Sequence, residues 1–191
     1  MAGGQSREEG VREPDPDTIR LAQAGDLDAF ELLVRACQGD AWRYAYHLTR
    51  DRMLADDVTQ EAFVRAFRSL RTFRAQSKFS SWLLRIVHNC SVDAQLRSRR
   101  DRILAERAAE GATLQTAPMG AAEDRLRLQE AVDGLPRRLR DPFVLIEILG
   151  FDYRETADVL GVPVGTLKSR MHRARAALIA RLEPEEAADE M

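Results

Sequence analysis

The sequence predicts an all-α chain: two small helical domains joined by a flexible linker. Three observations predict it. Apolar residues recur at helical spacing through about residues 18–98 and again through about 123–182. Between these stretches, residues 99–122 lose the apolar pattern after Leu104, and Ala, Gly, Thr, Pro118 and Gly120 dominate. No segment carries a strand signal, a Gly-rich phosphate loop or an internal repeat. A length of 191 residues suits one or two small domains, and a hydrophobic fraction of 45% suffices for real cores.

Residues 1–17 contain Gly, Glu and Pro without periodicity, so a disordered leader is expected. A short helix is expected over Thr18–Ala24, ending at Gly25. Asp26 can cap the next helix, about Leu27–Leu48, whose bulky residues include Phe30, Leu33, Val34, Trp42, Tyr44 and Tyr46. Asp51 opens a third helix, about Met53–Phe73. Its apolar face is Val58, Ala62, Phe63, Ala66, Leu70 and Phe73. The opposite face carries Asp57, Gln60, Glu61, Val64 and Arg68. A valine among acids and an amide fits a small docking patch; single exposed apolar residues are also common on solvated faces.

Residues 74–79 form a basic loop that includes Arg74 and Lys78. Ser80 or Ser81 can cap a fourth helix running to about Ser98. Trp82, Leu83, Ile86, Val87, Cys90 and Ala94 make its core side, while Arg85, His88, Asn89 and Val92 point away. The helix ends in a basic run with Arg97, Arg99 and Arg100. Asp93 and Arg97 are four apart and can brace the helix as a structural pair.

Order returns at Glu123–Val132 and breaks at Gly134-Leu135-Pro136. Asp141 and Pro142 suit a cap and first turn for an apolar helix, about Pro142–Leu149, at the centre of the second core. A short helix over Tyr153–Leu160 has capping-box spacing in Asp152 and Glu155. Ala157 and Gly161 permit a tight turn, with Leu160, Val162 and Leu167 at the corner. A last helix runs from about Val164 to Leu182. At about 100° per residue, Leu167, Met171, Ala174 and Leu178 form one stripe. Lys168, Ser169, His172 and Arg173 lie opposite, flanked by Arg170 and Arg175. A core stripe, a donor face and flanking cations suit a helix that enters a DNA major groove. A basic outer face alone would suit an ordinary solvated helix. The capped short helix and the Gly turn favour the helix-turn-helix.

Net charge is −2, which by itself argues against a uniformly basic nucleic-acid binder. Its distribution says more. Residues 74–107 carry 8 positive and 3 negative charges, and residues 148–182 carry 6 and 3. Residues 183–191 carry 5 negative charges and no positive ones, an acidic tail expected to be disordered. Two basic patches between acidic spacers imply two separate contacts with a polyanion. The cations are almost all arginine; Lys78 and Lys168 are the only lysines. Cys37 and Cys90 cannot make a disulfide framework and suit a reducing cytoplasm. No apolar run is long enough to span a bilayer, and no signal-peptide pattern opens the chain. The expected location is cytoplasmic, without membrane insertion. His47, His88, His172 and the two cysteines show no metal-ligand spacing, so neither cofactor, metal nor enzymatic activity is expected.

Two stretches together carry a resemblance. ADDVTQEAFVRAFRSLRTF (55–73) with KFSSWLLRIVHNCSVDAQLRSRR (78–100), and LPRRLRDPFVLIEILGFDYRETADVLGVPVGTLKSRMHRARAAL (135–178), resemble the extracytoplasmic-function (ECF) group of bacterial RNA polymerase sigma factors. The resemblance covers about residues 18–180. It implies a sigma-2 domain over 18–98 and a sigma-4 domain over 123–182. Asp57, Gln60, Glu61, Val64 and Arg68 would then dock on the clamp helices of the polymerase largest subunit. Arg74, Lys78, Arg85, His88, Asn89, Arg97, Arg99 and Arg100 would hold the melted non-template strand of the −10 element. Lys168, Ser169, His172 and Arg173 would approach bases of the −35 element, with Thr166, Arg170 and Arg175 supporting by phosphate contact. Further implied partners are the polymerase flap region and an anti-sigma factor. Pro163 departs from the pattern, standing where such chains often carry a Ser or Thr cap; Pro142 replaces a more usual helix former. The alternative is a stand-alone helix-turn-helix regulator of the response-regulator type, which the all-helical first module argues against.

Overall fold

The computed structural model describes residues 13–106 and 123–182. The remainder of the expected leader, most of the linker and the acidic tail lie outside the described residues. Helix α1 is Pro16–Gln23, α2 Leu27–Thr49, α3 Arg52–Ser69 and α4 Phe79–Glu106. A 3-10 turn, Leu70–Thr72, follows α3. Then come α5 Glu123–Asp133, α6 Arg137–Phe143, α7 Tyr153–Leu160 and α8 Val164–Leu182.

The short-range signals work as the sequence expects. Asp26 accepts from the Ala29 N–H at 3.0 Å and Asp51 from the Leu54 N–H at 3.1 Å, each satisfying an orphan donor at a helix start. Asp15 does the same for α1, with Pro16 in the first turn, so order begins earlier than residue 18.

The cap of α4 differs from expectation. Ser80 and Ser81 lie inside the helix and are buried. The Glu13 carboxylate instead accepts from the N–H groups of Phe79, at 2.6 Å, and Ser80, at 3.2 Å. An anion at a helix N-terminus also meets the positive end of the helix dipole. Glu13 and the buried Pro14 belong to the stretch expected as leader. Helix α4 also runs on to Glu106, through the first residues expected as linker.

In the second module, Asp141 is not a helix cap. It lies within α6, buried, and accepts from Arg137 Nε at 3.1 Å. The helix starts earlier because Pro136 provides the break, and Pro142 is carried in its interior. Pro142 offers no N–H to the carbonyl four residues back. The chain then widens into a π segment, Val144–Ile148. Asp93 also takes a different partner from the expected Arg97: it accepts from Arg65 Nη1 of α3 at 3.0 Å.

Two cores result. Ile19, Ala22, Leu33, Cys37, Leu70, Phe79 and Leu83 form the smaller one, beneath an aromatic cluster of Phe73, Phe79 and Trp82 with centroids 5.2–5.7 Å apart. Gln23 Nε2 donates to the carbonyls of Leu70 and Phe73 at 3.0 and 2.8 Å, closing α1 over the end of α3. The larger core joins the modules. Tyr44, Leu48, Leu84 and Val87 share one apolar cluster with Leu135, Leu145, Leu149, Val159 and Leu178. Polar ties cross the same junction: Arg50 pairs with Asp133 at 3.1 Å and Arg137 Nη1 donates to Gln95 Oε1 at 2.9 Å. Helix α7 rests on α4.

Within that junction Tyr44 is fully buried, with its hydroxyl 3.0 Å from Nδ1 of His88. Burial pulls the His88 imidazole down to a pKa of about 4, and the nearby Arg137 guanidinium acts the same way. His88 is therefore neutral in the folded chain, and burial keeps the Tyr44 hydroxyl protonated, so the hydrogen bond joins two uncharged groups.

Two outcomes follow. Glu13→Ala should lower unfolding stability by about 1 kcal/mol, the usual worth of an N-cap; an unchanged urea midpoint would remove Glu13 as the cap of α4. The His88 shift sets a pH dependence. The unfolded imidazole takes up a proton as pH falls below about 6.5, whereas the folded one resists until about 4. Stability from this group is thus full above that window and lost as pH falls through it. The urea midpoint should drop between about pH 7 and pH 4.5, and drop less in His88→Gln. Equal drops in both proteins would show that His88 is not held neutral.

Candidate nucleic-acid interface

Three faces carry the residues singled out in the sequence. The first is the outer side of α8. Asp152 caps α7 by accepting from the N–H groups of Arg154 and Glu155 at 2.7 and 2.8 Å; Glu155 Oε2 accepts from the Asp152 N–H at 2.8 Å. Gly161 ends α7 at φ +65°, and a Cβ there would meet nothing within 4 Å, so the backbone angle alone calls for glycine. The corner delivers the chain into α8, whose Leu167, Met171, Ala174 and Leu178 are buried. That anchoring fixes the rotation of the helix. Lys168, Ser169, His172 and Arg173 are accordingly exposed together. The Ser169 hydroxyl donates to the Thr166 carbonyl at 2.9 Å, which leaves its oxygen free to accept. Thr166 and Arg170 are half-buried at the margins. Arg175 pairs with Glu147 at 2.6 Å, so a phosphate would have to compete with that carboxylate.

The second face lies on α4 and the loop before it. Arg74, Arg85 and Asn89 are exposed, and His88 is half-buried. Arg97 and Arg100 are exposed further along the same helix, and the Arg99 side chain is outside the described residues. Lys78 is exposed but already paired: its ammonium lies 2.5 Å from Glu155 Oε1, and this contact raises its pKa. Arg85, His88, Asn89 and Val92 line a cleft of about 300 Å³ whose other wall is Val159, Leu160 and Gly161. The structure thus brings the helix-turn-helix corner against the α4 face. Sequence spacing held no sign of this, because the two segments are far apart in the chain.

The third face is on α3. Asp57, Gln60, Val64 and Arg68 are exposed and Glu61 is half-buried. Glu61 holds Arg65 Nε at 2.7 Å, and Arg65 also reaches Asp93, a brace that fixes α3 on α4. Asp57 and Glu61 border a groove of about 550 Å³ with an apolar floor of Leu54, Val58, Cys90 and Ala94. Arg97 stands on this groove rather than beside Arg85 and Asn89. Phe67 was missed in the sequence. At 45% exposure it enlarges the apolar spot made by Val64, which is 44% exposed; their spacing of three residues was the available signal. Gln60 opens onto a second cleft, where Trp42 Nε1 donates to Asp56 at 2.6 Å.

Cys37 and Cys90 are both buried, and burial pushes the Cys37 thiol up to about 12 and raises that of Cys90. Both are poor nucleophiles. Among the described residues no group of three His, Cys, Asp or Glu side chains could hold a metal ion, and no helix is long and apolar enough to cross a membrane.

Comparison with known proteins matches both modules. The family models for sigma-70 region 2 and sigma-70 region 4 fit residues 33–102 and 125–178. The chain is 36% identical over 167 residues to the ECF RNA polymerase sigma factor SigC of Mycobacterium tuberculosis, covering 86% of this chain and 89% of that one. It is 34% identical over 184 residues to the ECF RNA polymerase sigma-E factor of Escherichia coli, covering 89% and 95%. Among solved structures, the sigma factor RpoE in complex with the anti-sigma factor NepR from Bartonella quintana is similar at a TM-score of 0.65 and 25% identity, covering 82% of this chain and 98% of that one. Two family modules in this order, each built around the faces described above, make the chain a member of the ECF group of sigma-70-type RNA polymerase sigma factors.

Proposed function

We propose that the chain binds core RNA polymerase and directs it to promoters by recognising −35 and −10 elements and assisting strand opening. The observation that carries this reading is the pairing of two modules: an anchored α8 with four exposed donor side chains, and an α4 whose exposed Arg85 and Asn89 follow a basic loop. In this reading Lys168, Ser169, His172 and Arg173 read duplex base edges, with Thr166, Arg170 and Arg175 on flanking phosphates. Arg74, Lys78, Arg85, His88 and Asn89 receive unpaired bases, whose removal from the stack costs a few kcal/mol unless a surface accepts them. Asp57, Gln60, Glu61, Val64 and Arg68 dock on polymerase. Neither set of contacts needs to be strong alone, because polymerase fixes their spacing. The chain acts in the cytoplasm as a binding factor rather than an enzyme. The anti-sigma complex of a similar sigma factor supports control by such an inhibitor here.

Reconstituted transcription with core enzyme on a promoter library tests the reading, and absence of initiation on every template sinks it. Tight, specific duplex binding by the isolated chain would instead indicate a stand-alone regulator. Lys168→Ala and Arg173→Ala should each impair −35-dependent initiation by about 1–3 kcal/mol if each makes a base contact. Normal initiation with both changed would place the reading face elsewhere. Asp57→Lys should weaken polymerase binding while the thermal midpoint holds; intact binding would return that face to plain solvent exposure.

A further inference from the structure

We propose that Ser77, in the loop between α3 and α4, is the acceptor for a Ser/Thr kinase that selects arginine three residues before its target, and that the phosphate switches off strand capture. The second half rests on the strand-reading role given to this loop and α4 above. Three observations carry the first half. Among the described residues, every other serine and threonine lies in a helix or in the 3-10 turn; Ser77 alone stands in irregular backbone, the form a kinase cleft takes up. Arg74 precedes it by three residues and Arg71 by six, both exposed, and Lys78 follows it. Kinases tell substrates apart by such charge patterns. The chain bends over residues 75–77 with Ala75 at φ +53°, a left-handed angle that alanine rarely adopts. That strain lowers the cost of unbending the loop to present Ser77, which is half-buried between the exposed Gln76 and Lys78. In the transfer, Ser77 Oγ bonds to the γ-phosphorus of a nucleoside triphosphate while the bond from that phosphorus to the β,γ-bridging oxygen breaks. The diphosphate leaves with the electron pair, and the hydroxyl proton passes to a base of the kinase.

The product adds a charge of about −2 among cations assigned to DNA. Arg74 and Lys78 flank it and become its counter-ions, the Lys78 ammonium being shared with Glu155. Withdrawing two cations from a single strand is worth about tenfold in affinity at physiological salt. Lys168, Ser169, His172 and Arg173 stand on α8 and keep their charge, so duplex reading survives. The phosphate also meets Glu13, whose carboxylate accepts from the N–H groups of Phe79 and Ser80. Those donors lie two and three residues beyond Ser77, the spacing at which Asp152 reaches the N–H groups of Arg154 and Glu155. Two anions repel one another at the same donors, and the dianion pairs more strongly with the positive end of α4. Phosphorylation therefore displaces Glu13 and takes over its capping role.

The test uses the full chain. For the acceptor, the chain is incubated with γ-labelled ATP and a soluble extract of its own cells, and the labelled peptide is identified by mass spectrometry. Label should sit on Ser77, vanish in Ser77→Ala and fall severalfold in Arg74→Ala. Label at other positions only, or none, would overturn the acceptor; full labelling of Arg74→Ala would overturn the arginine selection. For the switch, phosphoserine is built in at Ser77 during synthesis. With core polymerase on a selected promoter, this chain should initiate about tenfold more slowly than the unmodified one, and a phosphatase should restore the rate. Ser77→Ala should initiate at the unmodified rate. Affinity for a single strand from the promoter's −10 region should fall by the same factor while affinity for core polymerase holds. Equal initiation with and without the phosphate, or a matching loss of polymerase affinity, would overturn the switch. No initiation by the unmodified chain on any template sinks the promoter-directing reading instead, and the labelling result stands apart from it. In Glu13→Ala, the phosphate should raise the urea midpoint more than it does beside Glu13; equal shifts would show that the two anions do not compete.

Discussion

Helix α4 has more faces than it has room to expose. At 28 residues it is the longest element described. One side, with Leu83, Leu84, Val87, Cys90 and Ala94, is consumed by the two cores. Another carries His88 and Val92 beneath α7. Arg85 and Asn89 remain at the edge. The same backbone therefore sets the rigidity of α3, through Arg65 and Asp93, and the position of the second module. Any shift in the rotation or start of α4 moves all three faces at once.

The two modules solve one problem differently. Module one fixes its faces by apolar burial along long helices, with the stretches of α2, α3 and α4 locked by Tyr44 and its neighbours. Module two is shorter and depends more on its turns. The capping box at Asp152, the left-handed Gly161 and the π segment before α7 set where α8 points. The rotation of α8 is what keeps its exposed side chains on one face, and the fully buried Leu167, Met171 and Ala174 fix it.

Features determined within one helical turn or one periodic stripe were legible in the sequence. Asp26, Asp51 and the Asp152–Glu155 box cap where their spacing says, and the α8 stripe divides as its periodicity says. Most of the misses involve distant partners. Glu13 caps a helix 66 residues away, and no local spacing could report it. Asp93 had a plausible partner at Arg97 but found a better placed one on α3. Asp141 beside Pro142 carried the local signature of a cap, yet Pro136 began the helix a turn and a half earlier. Lys78 and Glu155 each had a convincing local role, in a basic loop and a capping box, and the structure gives both a second one.

The Glu13 contact has a practical side. The carboxylate that begins α4 comes from the residues ahead of α1, so the shortest helix of the first module and the longest are held in register by one side chain. A change in the few residues before α1 is therefore felt at the entry of α4, on the far side of two intervening helices in the sequence.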